Sequence, residues 1–298
     1  MNVYQTLLEA LPEKHRDISV YAIFTFGLLI LEYAIETIGF KFARRFLPKK
    51  EVKENAVASE KKARKVGESL WRLCFYSFAL TYGYFVVSKQ DFYSDASKMW
   101  GRVRTDSSGK DFWDMPPIGI ELHFYYFIEL AFYSGTTLQY VTRASSATDY
   151  KDYWVMLIHH SSTIALISSS YYIQVYKVGA MVMLLHDWCD PFLEIAKLLK
   201  YFKFMDVSLV MFATFGVVYH VTRIFMYPSF VLRSSLTDTL PLLHLDPIYT
   251  PYYYFANFLL MVILVLNGIW AAFILKGFAK VVFQGGEAHD ARSDDESE

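Results

Sequence analysis

Residues 153–199 read YWVMLIHHSSTIALISSSYYIQVYKVGAMVMLLHDWCDPFLEIAKLL. Two apolar stretches, Tyr153–Tyr172 and Tyr176–Leu199, are each long enough to cross the hydrocarbon core of a bilayer, about 30 Å at 1.5 Å per helical residue. An ionisable group inside such a stretch costs about 2.5–3.5 kcal/mol on insertion scales. Six histidines and carboxylates lie in these two stretches: His159, His160, His186, Asp187, Asp190 and Glu194. His186 and Asp190 are spaced i, i+4, Asp187 and Asp190 i, i+3, and Asp187 and Glu194 i, i+7, which predicts one inward polar stripe. Pro191 removes the hydrogen bond to the Asp187 carbonyl and is expected to open the helix there. By helical rise the histidine pair lies about 9–12 Å into its span, and Asp187 and Asp190 about 15–20 Å from the end of theirs. On antiparallel helices the two sets share a depth and are expected to line one cavity.

Five further stretches qualify as spans: 18–40, 70–88, 118–141, 207–232 and 252–275. The expectation is an all-α polytopic membrane protein of seven transmembrane helices around a central cavity. Composition agrees, with 54% hydrophobic residues and 25 Phe, 23 Tyr and 6 Trp. So apolar a chain, with only 9 Pro and 14 Gly, is neither disordered nor fibrous. A soluble core would have to cover seven long helices with a chain too short to do so. Two cysteines, Cys74 and Cys189, exclude a disulfide scaffold and a Cys-rich zinc site. A net charge of −1 gives no basic excess for nucleic acid. The first span is too long for a cleavable signal segment, and most nearby basic residues follow it.

Lys and Arg near the span ends set the orientation. Lys41–Arg72 alone holds 11 basic residues, and with the loops and tail on the same side the total is 19, against 9 opposite. The N-terminus, residues 1–17, is therefore expected in the lumen or exterior and the C-terminus in the cytosol. Residues 18–69 read as the first span and a basic cytosolic linker, 70–283 as the domain of spans two to seven, and 284–298 as a disordered acidic tail. Within the tail, Ser293 before Asp294, Asp295 and Glu296 is a pattern that acid-directed kinases favour. The loop from Gly101 to Pro117, flanked by Trp100 and containing Trp113, reads as a luminal segment at the interface.

Imidazole transfers protons near neutral pH and can itself be acylated. A carboxylate on its second nitrogen fixes the tautomer. Three histidines and an aspartate also form an acceptable metal set, although adjacent histidines diverge by about 100° on a helix and rarely ligate one ion together. Buried histidines satisfied by neighbouring helices are a third reading. A proton-coupled transporter using the same ionisable chain is a fourth, which would call for discontinuous, repeat-related helices.

The combined pattern, His159-His160, then Lys177-Val178-Gly179, His186-Asp187, Asp190, Leu193-Glu194 and Lys197, resembles the Lag1 motif of the ceramide synthases within the TLC (TRAM-Lag1-CLN8 type) membrane fold. The flanks Tyr126–Tyr133 and Lys151-Asp152-Tyr153 are similar too, and Ala291-Arg292-Ser293-Asp294 resembles the phosphorylated acidic tails of animal members. The resemblance covers about Leu70 to Leu275. Departures are Ile173-Gln174 where members often carry Asn, Phe132-Tyr133-Ser134 for Phe-Tyr-Trp, Trp188-Cys189 for smaller residues, and no room for a homeobox-like insert.

The resemblance implies N-acylation of a sphingoid long-chain base by fatty acyl-CoA in the endoplasmic reticulum membrane, with acyl-CoA as substrate and no cofactor or metal. It implies catalytic roles for His159, His160, His186, Asp187 and Asp190. Either a histidine of the pair acts as general base while Asp187 orients a histidine, or His159 attacks the thioester and forms an acyl-imidazole. In the second route His186 and Asp187 orient the pair and Asp190 tunes them. Lys151, Lys197, Lys200 and Lys203 gather where polyanionic CoA would enter. The expected partners are membrane lipid and, should the protein pair as a homo- or hetero-dimer, a second subunit. Acyl-length choice points to Ser234–Thr250. The competing class is a non-catalytic TLC-fold protein that handles lipid or assists translocation.

Overall fold

The computed structural model describes residues 16–47, 56–114, 118–143, 153–245 and 249–284. Lys151, Ser293, residues 1–15 and the acidic tail beyond Gln284 lie outside them. In chain order the elements are α1 (Arg16–Phe46), α2 (Ala56–Val87), a 3-10 turn (Ala96–Trp100), strands β1 (Arg102–Thr105) and β2 (Asp111–Asp114), α3 (Ile120–Arg143), α4 (Tyr153–Tyr172), α5 (Tyr176–Asp187) and α6 (Asp190–Tyr201). There follow α7 (Met205–Tyr219), a π-helical stretch (His220–Leu232), α8 (Arg233–Thr237), α9 (Leu240–Leu245) and α10 (Thr250–Gln284).

Helix α2 runs unbroken through residue 70, where linker and span meet in the sequence reading. Glu60–Arg64 (2.9 Å) and Glu68–Arg72 (3.4 Å) are i, i+4 pairs that carry the helix through its charged first half. It crosses α1 where Gly67 lies against Gly39. A Cβ on Gly39 would stand 2.8 Å from the Gly67 Cα, so the backbones approach only because both side chains are absent.

An aromatic layer seats α3 on α2. Phe75 stacks on Phe132 at 3.6 Å between centroids, with Trp71 beside them at 6.3 Å from Phe132. The largest buried cluster joins α2, α3, α4 and α5 through residues such as Tyr125, Tyr126 and Leu184. A second joins α6, α7 and α10 through Cys189, Phe215 and Trp270. A third, including Ala43, Val66 and Tyr201, ties the end of α6 to α1 and the first half of α2.

The segment 176–201 opens at Trp188-Cys189, both with right-handed helical dihedrals, and α6 resumes with Pro191 in its first turn. A proline at that position loses no bond the helix could otherwise make. The 101–117 loop holds a two-stranded antiparallel hairpin, with Val103 opposite Trp113 and Arg104 opposite Phe112. Gly109 (φ 82°) turns it, and Asp106 Oδ1 accepts from the backbone N–H of Ser108 and Lys110. By length and apolar character three helices are able to cross a membrane: Ser19–Phe46, Met205–Leu245 and Thr250–Val281. Of the other expected spans, 70–88 continues a helix whose first half is charged, α3 and α4 carry tyrosine, histidine and serine, and 176–199 is broken between the 12-residue helices α5 and α6.

Candidate functional site

The histidine pair sits two turns into α4, and both rings are buried. They diverge as adjacent helical residues must, with centroids 5.8 Å apart and planes at 52°. Tyr133 of α3 lies edge-on to both, at 6.3 Å from His159 and 5.8 Å from His160. His160 turns towards α3. Its Nδ1 is 3.3 Å from the Thr137 hydroxyl, which already donates to the Tyr133 carbonyl at 2.6 Å. That hydroxyl oxygen is left as acceptor, so the His160 proton resides on Nδ1. His159 turns the other way, edge-on to Trp270 of α10 at 5.0 Å, and onto a cavity.

About 1000 Å³ of space lies between the walls of the cavity, open solvent at the mouth included. One face of α4 from His159 to Ile173, one face of the Val175–His186 segment, and one face of the chain from Tyr249 to Ile263 make its long walls. His159 and His186 are its only histidines among the described residues. Polar groups on the walls are turned onto one another: Ser235 Oγ donates to Asn257 Oδ1 at 2.8 Å, and Tyr126 Oη lies 3.1 Å from Ser170 Oγ. The interior is therefore apolar along most of its length.

His186 has a defined protonation pattern. Nδ1 lies 2.7 Å from the Val182 carbonyl, to which it can only donate, so Nε2 is the acceptor and receives the Asn267 side-chain N–H at 3.1 Å. Tyr227 stands edge-on at 5.1 Å. The opening between α5 and α6 leaves the His186 carbonyl without its usual helical partner. Arg223 supplies one, donating through the same nitrogen to that carbonyl and, at 2.8 Å, to Asp190 Oδ2. The π-helical winding around residue 223 places this buried guanidinium opposite the break.

The single inward stripe expected of residues 186–194 is corrected to four separate directions. His186 faces Asn267 and Tyr227, and Asp190 faces Arg223. Glu194 faces Lys197 at 3.1 Å and Arg72 at 3.7 Å. Asp187 accepts from the Tyr125 hydroxyl at 2.9 Å, with the Glu129 carboxyl beside it, rather than from a histidine. The cause is the loosened helix: at Trp188-Cys189 the i, i+4 geometry lapses, and each side chain finds a partner on a different neighbour. Tyr125, Glu129, Arg223, Asn267 and Tyr227 are thus site residues that spacing did not single out. Arg223 and Glu129 carried a signal as charges within spans, but nothing in the sequence named their partners.

Of the lysines at the expected CoA mouth, Lys197 pairs with Glu194, while Lys200 and Lys203 close α6 and its following turn. They lie at the end where Tyr201 joins Leu47 and Val66 in one buried cluster. Among the described residues no group of three or more His, Cys, Asp or Glu side chains converges as a metal site would require.

Residues 65–276 match the profile of the TRAM, LAG1 and CLN8 family, the TLC domain. The chain is 32% identical to ceramide synthase 5 of Homo sapiens over 235 residues, which cover 78% of this chain and 55% of that protein. It is 32% identical to ceramide synthase hyl-1 of Caenorhabditis elegans over 249 residues, 80% of this chain and 62% of that one. Ceramide synthase LOH2 of Arabidopsis thaliana aligns at 29% over 293 residues, 95% of this chain and 93% of that protein. The chain thus spans somewhat more than half the length of the human and nematode relatives. Three helices able to cross a bilayer and a family match over most of the sequence lead to one conclusion: the chain belongs to the TLC-domain family of membrane proteins, alongside the ceramide synthases.

Proposed function

We propose that the protein transfers the acyl group of a fatty acyl-CoA to the amine of a sphingoid long-chain base, giving ceramide or dihydroceramide. The observation that carries the reading is the placement of His159, at the head of a long apolar cavity with His186 on the opposite wall. The relatives named ceramide synthase support it. In the route we favour, the neutral His159 imidazole attacks the thioester carbonyl carbon. The C–S bond breaks, and CoA leaves as its thiol with the proton that the ring gives up. The amine then attacks the acyl-imidazole, the carbon–nitrogen bond to the ring breaks, and an amine proton returns to His159. The alternative uses the His159 ring as general base while the amine attacks the thioester directly. Either route needs a site that excludes water, because hydrolysis would discard the acyl group.

His186 in this reading fixes the opposite wall, Arg223 and Asp190 hold its backbone, and Tyr125 holds Asp187. The proposal extends to the membrane: seven spans in the endoplasmic reticulum, N-terminus luminal, C-terminus cytosolic, with CoA entering near Lys197, Lys200, Lys203 and Lys151. The test is to incubate purified protein with sphinganine and an acyl-CoA panel and to quantify N-acylated product by mass spectrometry. Wild type should form it, and His159→Ala should lower the rate by about 10²–10⁴-fold. Absence of product across acyl chains of 14 to 24 carbons would contradict the proposal.

A further inference from the structure

The cavity that begins at His159 and His186 has a far end, and that end is built from the hairpin. The Trp113 indole of β2 donates to the Trp100 carbonyl and packs edge-on against Tyr249 at 5.0 Å. The Trp100 indole donates to Ser234 Oγ at 2.7 Å, and Ser234 in turn donates to Asp238 Oδ2 at 2.6 Å. The start of α5 is tied to the same place, with Lys177 Nζ donating to the Lys98 carbonyl at 3.3 Å and to Asp91 at 3.0 Å. Trp100, Trp113 and Tyr249 all line the cavity, at the Ile173 and Val175 end and away from the histidines.

The depth follows from the walls. His159 to Ile173 and Tyr249 to Ile263 each span about 21 Å, and Val175 to His186 about 16 Å, at the helical rise. An extended chain of tetrahedral carbons advances about 1.25 Å per carbon, from a bond of about 1.52 Å and an angle near 111°. The cavity therefore accepts about 13–17 carbons beyond the reacting carbonyl before it meets the indoles.

We infer that Trp113, braced by Trp100 and Tyr249, is the floor that sets the length of the fatty acyl chain the protein accepts, holding it to long chains of about 14–18 carbons. The occupant is the acyl group rather than the base, an assignment that rests on the proposed role of His159: an acyl carbon bonded to that ring can only lead its chain down the cavity. Selection by this hairpin lies outside Ser234–Thr250, where the resemblance looks for it. Ser234 and Tyr249 are the points at which the two segments meet.

The test uses full-length protein in detergent with acyl-CoAs of 14 to 24 carbons in competition for sphinganine, and reads the ratio between products within each variant, so that yield cancels. Trp113→Ala and Tyr249→Ala should raise the ratio of 22-carbon to 16-carbon product by about tenfold or more. Ala256→Phe, which fills the cavity midway along the Tyr249–Ile263 wall, should shift product below 16 carbons. Dissociation constants for the same acyl-CoAs, measured without amine on a His159→Ala background so that no acyl group passes to the ring, should shift in the same order. Unchanged ratios and affinities in all three variants would overturn the inference while leaving N-acylation intact. A dependence on the length of the base instead would assign the cavity to the other lipid and overturn it equally. A wild type that binds long-chain acyl-CoA with these length limits but forms no amide would contradict the proposed function alone.

Discussion

The Asp187 carboxylate of α5 accepts a hydrogen bond from the Tyr125 hydroxyl of α3 at 2.9 Å, and the ring reaches it through space left by Gly83 of α2. A Cβ at residue 83 would stand 2.7 Å from the Tyr125 ring and hydroxyl. Three helices thus converge on one buried carboxyl. Tyr125→Phe removes the donor and leaves a buried acceptor unmet, at a cost of about 1–3 kcal/mol. Thermal unfolding in detergent should fall accordingly, and acyl transfer by about tenfold. Gly83→Val should reproduce both effects by displacing the Tyr125 ring while leaving both hydrogen-bonding side chains in the sequence. Wild-type activity in Tyr125→Phe would show that Asp187 needs no fixed orientation.

Arg223 is the second such tie. Its removal strands Asp190 and the His186 carbonyl together, and breaking a buried pair from one side costs about 3–5 kcal/mol. Arg223→Met should be severely destabilised. Asp190→Asn in the same chain should recover part of the loss, because no uncompensated carboxylate then remains. Arg223→Lys keeps the charge without the planar fork and should fall between them. Additive losses in the double variant would refute the coupling.

Gly179 has a packing reason to lack a side chain. A Cβ there would lie 2.0 Å from the Tyr126 hydroxyl, which donates to the Tyr176 carbonyl at 2.7 Å. Gly179→Ala should cost about 1–3 kcal/mol by overpacking. Tyr126→Phe, which takes away the colliding oxygen, should restore much of it. Stability measured for the two single variants and the double variant decides the point.

The hairpin turn carries a pH signature. The Asp106 carboxylate lies outside the membrane and is held below its usual range, first by the Ser108 hydroxyl and then by the Lys110 and Ser108 amides. A lowered folded value means that the turn gains stability above about pH 4 and loses it as pH falls through the folded value. Protection of the hairpin amides against exchange, corrected for intrinsic rate, should hold from pH 8 to pH 5 and drop at lower pH. In Asp106→Ala that drop should vanish, and acyl-length discrimination should weaken with it.

Local features of the site were legible because they depend on spacing alone. His159 and His160 had to diverge, and Pro191 had to open the helix near Asp187. The partners were not legible, since they come from residues 33 to 81 positions away: Arg223 to Asp190, Tyr125 to Asp187, Asn267 to His186. Nothing in HVTRIFMYPSFVL announces a π-helix, whose wider winding comes from how residues 220–232 pack. The same limit applies to the stripe expected along 186–194, which assumed unbroken helical periodicity across a break the proline itself foretold. Hydropathy marks the outer helices clearly and α3 to α6 poorly, because those carry the polar groups that build the site.

The central claim is that His159 carries the acyl group, and intact-mass measurement tests it most directly. Purified protein is incubated with a long-chain acyl-CoA and no amine, as wild type and as His159→Ala. The account predicts a gain of one acyl group in wild type, absent from the variant and discharged when sphinganine is added. Ceramide formed at the normal rate with no adduct at any time, or an equal adduct on His159→Ala, would contradict it.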